Sequence, residues 1–163
     1  MEAHGHAARD DARECAAALA TAERSFDRAT QEDNPAWLAY FDEAYLAARM
    51  AQCFRDLGEA SHAARYARRS LDMDGRYVRG RAFNLALLAT ACAAQDEPDR
   101  ACAAGRQALD LTVRLTSARS VGYVRDLLRR LRPRAGVPVV RDFMAEVAER
   151  LPAAAGRAAP RSR

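Results

Sequence analysis

MAQCFRDLGEASHAARYARRSL, residues 50–71, decides the fold. Its small residues Ala51, Ala63 and Ala67 fall at helical spacing around a break at Gly58, with Phe54 and Leu71 as the large partners. The pattern is that of two helices joined by a short turn, meeting through alanines. Thirty-eight residues later stands LATACAAQDEPDRACAAGRQAL, residues 88–109, where Ala89, Cys92, Ala101, Gly105 and Leu109 take the same places. Gly58 and Asp96 coincide under this shift, and a further step of the same length reaches Leu127, Val139 and Phe143. Self-similarity at a fixed period marks a chain built from stacked units, each burying its apolar face against the next.

The rest of the chain reads as helices separated by short breaks. Asp11, with Asp10 as its rival, caps a helix through Ala29 whose stripe is Cys15, Leu19, Ala22 and Phe26. Asn34-Pro35 restarts the chain as a helix running to Leu57, which Gly58 ends. Helices follow from Ser61 to Met73, Arg76 to Ala94, Asp99 to Leu115, Ala118 to Leu131 with Ser117 as cap, and Val139 to Leu151. Asp74-Gly75, residues 95–98 and the proline-bounded run 132–138 are the turns between them. Residues 1–10 are read as a flexible terminus or remnant helix, 11–151 as the repeat domain, and 152–163 as a disordered tail. The fold class is all-α, a stack of helix pairs. The first full helix has no partner before it except residues 2–8, so either the stack is part of a longer protein or a second copy covers that face.

Met50-Ala51-x-x-Phe54, Gly58, then Ala63-x-x-x-Ala67-x-x-Ser70-Leu71 resembles the tetratricopeptide repeat, and residues 88–109 resemble it more loosely. The period is longer than that family's, no tryptophan fills its usual position, and the prolines that close many repeats are missing at Gly75 and at Thr112-Val113. Longer phrases carry a narrower likeness. Asn34-Pro35-x-Trp37-Leu38-x-Tyr40-Phe41-Asp42-Glu43-Ala44, then 53–58, then Ser70-Leu71-Asp72-Met73-Asp74, then 77–88, resemble the C-terminal half of actinobacterial transcriptional regulators. Those proteins place tetratricopeptide-like repeats after a helix-turn-helix domain of the XRE type. The likeness covers about residues 11–150. It implies a cytoplasmic sensor or assembly module that binds a peptide, a small molecule or a second subunit and carries no DNA-binding domain of its own.

The resemblance also implies that the first helix of each pair lines a concave groove. Superposed at the repeat offset, Glu43, Arg81 and Arg119 are equivalent, with Tyr45, Asn84 and Tyr123 just after them and Arg79 beside. Arg79, Arg81, Asn84 and Arg119 can clamp a carboxylate or phosphate. The alternative is that Arg79 and Arg81 pair with Asp42, Glu43 or Asp74 and only brace the stack. Of the aromatic cluster Trp37, Tyr40, Phe41 and Tyr45, the last two suit the core and the first two a docking surface.

Composition narrows the chemistry. Half the residues are hydrophobic but only 7% aromatic, and all 26 basic residues are arginine. Residues 1–60 carry 12 acids and 6 arginines, while the remainder carries 10 acids and 20 arginines, a polarity that draws anionic partners toward the C-terminal half. Arginines solvating exposed helix faces are the plainer account. Cys15, Cys53, Cys92 and Cys102 form no C-x-x-C pair and share no ligand spacing with His4, His6 or His62, so they read as free thiols packed as small hydrophobes. Asp72-x-Asp74-Gly75 lacks the remaining ligands of a calcium loop. No nucleophile setting, phosphate loop, signal peptide or membrane span is present. The basic run Arg125, Arg129, Arg130, Arg132 and Arg134 has no interleaved aromatics. The expectation is therefore a non-enzyme without cofactor or metal, with a protein or peptide partner, a second copy of the chain as a candidate, and no direct contact with nucleic acid or membrane. A self-associating structural module and a small-molecule accessory protein are the rival readings.

Overall fold

The computed structural model describes residues 2–29, 41–115 and 117–151. They form eight α-helices and no strand: α1 Glu2–Ala7, α2 Ala12–Ala29, α3 Glu43–Asp56, α4 Ala60–Arg69, α5 Val78–Ala94, α6 Pro98–Leu115, α7 Ala118–Leu131 and α8 Pro138–Arg150. A short 3-10 turn, 132–134, leads from α7 toward α8. α1 packs on α2 and α3, α3 on α4, α5 on α6, and α8 on α6. α5 is central: it touches α3, α4, α6 and α7, and its buried residues run around its whole circumference.

Small residues set these approaches. Ala51, Ala63 and Ala67 on α3 and α4 are fully buried, and so are Ala89 and Ala101 on α5 and α6. At the sixth helix the small position is Gly105. A Cβ there would lie 2.7 Å from Leu127 Cδ2 and 2.8 Å from Phe143 Cζ, so only glycine admits α7 and α8 at this distance. One apolar cluster joins Cys92, Leu109, Leu127, Leu131, Val140 and Phe143. A second joins Cys15, Leu19, Met50, Cys53, Tyr66 and Leu87. Leu88 packs against both.

The turns after α3 and α5 share one hydrogen-bond pattern. Gly58, at φ +74°, donates to Arg55 O, and Glu59 donates to Phe54 O. Asp96, at φ +58°, donates to Ala93 O, and Glu97 donates to Cys92 O. These are Schellman caps at equivalent positions. Nothing lies within 4 Å of a Cβ built on Gly58, so Gly58→Ala costs backbone strain only. Denaturant melting of that variant is expected to fall by roughly 1–2 kcal/mol; no change would mean that the turn relaxes freely.

Several helix limits differ from the sequence expectation. The helix expected from Pro35 to Leu57 begins at Glu43, because Asp42 adopts an extended conformation and its carboxylate accepts from the Tyr45 N–H at 2.8 Å. The Asn34-Pro35 restart, Trp37 and Tyr40 lie outside the described residues, as does the segment 152–163. The helix expected to reach Met73 stops at Arg69, followed by a turn in which the Asp74 carboxylate accepts from Arg76 N–H and Nε. Phe41, expected in the core, is 41% exposed and tilts against Phe26 and Tyr45 at the surface. Ser117 is extended at the start of α7 but makes no capping bond through its side chain. Asp11 does accept from Glu14 N–H at the start of α2, and α1 precedes it with Ala7 buried.

α1 seats His4 against α3. Its Nδ1 lies 3.5 Å from Cys53 Sγ, and its Nε2 is buried and without a partner among the described residues. Burial first, then Arg49, push its pKa below 6.5, with Arg55 adding to the effect and Asp56 opposing it. The unfolded chain therefore binds this proton more readily. The stability tied to neutral His4 is present above pH 6.5 and is lost as the pH falls below it. The melting temperature is expected to drop more between pH 7.5 and 5.5 in the native chain than in His4→Gln, and parallel drops would remove His4 from the account.

Candidate functional site

An open groove of about 490 Å³ runs across α3, α5 and α7. α3 contributes Tyr45, Ala48, Arg49 and Gln52; α5 contributes Arg79, Gly80, Phe83 and Asn84; α7 and its cap contribute Ser117, Arg119, Ser120 and Tyr123. Met73, from the turn before α5, completes the lining. On each helix the spacing is i, i+4 with a near neighbour, which is one face of an α-helix.

The floor is aromatic and sulfur-bearing. The Phe83 and Tyr123 rings lie 4.9 Å apart at 59°, an edge-tilted pair spanning α5 and α7. Met73 lies over α5 because Gly80 has no Cβ: one built there would meet Met73 Cε at 2.8 Å. The Asn84 amide holds Met73 in place, donating to its sulfur at 3.4 Å and to Ser70 O at 2.9 Å.

The charge is one-sided. Three guanidiniums line the groove and no carboxylate does. Arg49 is pre-set: it lies over the Tyr45 ring at 4.9 Å and donates to Tyr45 Oη at 2.7 Å and to Gln52 Oε1 at 3.2 Å. Arg79 and Arg119 are exposed and form no hydrogen bond or ion pair among the described residues. The acids proposed as their braces are engaged elsewhere, Asp42 in the α3 cap and Asp74 with Arg76, while Glu43 pairs with Arg69. These three arginines raise the local potential for an anion, and a half-open, low-dielectric floor strengthens the effect.

Of the residues singled out from sequence, Tyr45, Arg79, Asn84, Arg119 and Tyr123 share this groove. Glu43 and Arg81 do not. Glu43 turns to Arg69 on α4, and Arg81 donates to Leu71 O at 3.0 Å, tying α5 to the preceding turn. Asn84 is buried and spends its amide N–H groups on the protein itself, so it positions the wall and does not offer donors to a ligand. Arg49, Gln52, Phe83, Met73 and the two serines were not anticipated. The fixed repeat offset hid them: Tyr45 and Phe83 do lie 38 residues apart, but on α7 the groove register has slipped by two. Arg119 thus answers Arg79, not Arg81, and Tyr123 answers Phe83.

No cysteine lines the groove. All four cysteines are buried free thiols, and burial raises the pKa of each, Cys53 to about 12. Such thiols stay protonated at neutral pH. No cluster of three or more metal-ligating side chains occurs among the described residues, and no helix among them is long and apolar enough to cross a membrane. The basic run near residue 130 is partly self-neutralised, with Arg129 and Arg130 on Asp126 and Arg134 on Asp96. The chain matches no family model, no curated protein and no solved structure.

Proposed function

We propose that this protein is a regulatory binding scaffold, a tetratricopeptide-like stack of helix pairs whose groove takes an acidic segment of a partner protein or peptide. The observation that carries the reading is the set Arg49, Arg79 and Arg119 in one groove with no lining carboxylate. Exposed guanidiniums gathered in one groove without a lining carboxylate make a positive potential that favours an anionic ligand. Packing of α3 on α4 and α5 on α6, with equivalent caps at Gly58 and Asp96, supports the helix-pair stack. The reading is of a binding protein and not a catalyst, working in the cytoplasm, related to the sensor half of the XRE-type regulators that the sequence resembles.

The test is fluorescence anisotropy with two labelled pools of random nonapeptides, one enriched in Asp and Glu, the other in Arg and Lys. The acidic pool is expected to bind and the basic pool to stay free. Affinity for the acidic pool should fall at least tenfold in Arg79→Gln/Arg119→Gln, a change confined to exposed side chains that leaves the helical circular dichroism intact. Equal affinity of native chain and double variant would remove the groove from the binding surface.

A further inference from the structure

We infer that the groove's occupant presents a phosphate ester on an aromatic ring, the side chain of a phosphotyrosine in a partner protein. This rests on the reading of the groove as a partner-binding surface. Its lining falls into two parts, and each selects half of such a side chain. The first is the arginine set. A single carboxylate has two oxygens, which one bidentate guanidinium satisfies. It would leave two of the three groove arginines unanswered. A phosphate monoester carries about −1.5 to −2 charges at neutral pH and three terminal oxygens. Its three oxygens can accept forks from two guanidiniums at once, and Arg79 on α5, Arg119 on α7 and the Ser117 and Ser120 hydroxyls all line the groove. Arg49, held over Tyr45, supplies fixed positive charge from the third helix.

The second part is the floor. Phe83 and Tyr123 present a tilted ring pair, and the Met73 thioether belongs to the same lining. An aromatic ring gains edge, face and sulfur contacts there that an aliphatic stem does not. Phosphoserine has no ring to place on this floor, and a bare acidic stretch has neither the ring nor two charges on one group. The groove's size suits one such side chain with its flanking backbone.

The experiment is anisotropy with labelled nonapeptide pools carrying a central phosphotyrosine, phosphoserine, tyrosine or tyrosine flanked by two glutamates. Thermal shift with phenyl phosphate, benzoate and inorganic phosphate accompanies it. The phosphotyrosine pool is expected to bind at least tenfold tighter than the other three, and Arg79→Gln/Arg119→Gln to erase that preference. Phe83→Leu, which keeps the apolar volume, is expected to lower phosphotyrosine affinity while leaving the phosphoserine pool unchanged. Phenyl phosphate is expected to raise the melting temperature more than benzoate or inorganic phosphate. Equal binding of the glutamate-flanked pool overturns the phosphate assignment and leaves the acidic-partner reading standing. Equal binding of phosphoserine, or an equal shift with inorganic phosphate, overturns the aromatic half. Failure of every pool overturns both this inference and the scaffold reading beneath it.

Discussion

Phe143→Ala is expected to lower the free energy of unfolding by about 3–5 kcal/mol, measured by urea melting. The ring is fully buried on α8, and it fills the space between α6 and α7 that the missing side chain of Gly105 leaves open. Its neighbours Leu127, Leu131, Val140 and Val147 belong to the same cluster, so the lost ring leaves a cavity with rigid walls on three helices. Arg106 adds a guanidinium 5.9 Å from the ring centroid and pairs with Glu146, so part of the hold of α8 on α6 is polar and survives the substitution. The net stability of a domain is of order 5–15 kcal/mol, so a loss of this size consumes a large share of it. A loss under about 1 kcal/mol would mean that α8 is not integral to the fold.

Gly105→Val attacks the same contact from the other side. Even a Cβ there meets two carbons at under 3 Å, and both belong to fully buried side chains hemmed in by the same cluster. Valine adds two further methyls. The helix-propensity gain over glycine, at most about 1 kcal/mol, does not offset the clash. A net loss of roughly 2–3 kcal/mol is expected in the same urea assay. The two changes should be strongly non-additive: Gly105→Val in a Phe143→Leu background is expected to recover part of the loss, since valine then occupies space the ring has vacated. Additive losses would show that the two positions do not share one space.

The repeat offset made the small positions legible, because an alanine or glycine at a helix crossing is selected by distance and leaves a periodic trace. Ala51 and Ala89, Ala63 and Ala101, and the turn pair Gly58 and Asp96 all carry that trace. Helix limits were less legible where two signals competed. Asn34-Pro35 draws the reading of a helix start, while the cap of α3 is Asp42, which the sequence offers only as a partner for the arginines. Past Arg69 the apolar residues Leu71 and Met73 prolong the helical pattern, yet they serve the turn and the groove wall. At the site, arginines and tyrosines on α3, α5 and α7 were visible as polar interruptions of an alanine-rich pattern. Their facing was not: the groove register slips by two residues on α7, a turn of about 200°, so the fixed offset matched Arg119 with Arg81 where the groove matches it with Arg79. Starting from Tyr45 and stepping by four and seven residues reaches Arg49 and Gln52, a signal present in the sequence but masked by attention to the repeat.

The groove lies over α5, the helix against which both apolar clusters rest. Its walls come from α3, which belongs to one cluster, and from α7, which belongs to the other. The proposed occupant, gripped by Arg49 and Arg119 together, would therefore act as a clasp between two bodies joined by a single axle. In the helix-pair stack proposed above, each unit touches only its neighbours and is rotated by a small angle on the next, so a clasp across the axle would fix one such rotation. The bound chain would be stiffer along its length, and its two ends would be held at one fixed angle. Whatever is attached to either end would then feel occupancy as a change of posture, without any rearrangement of the core.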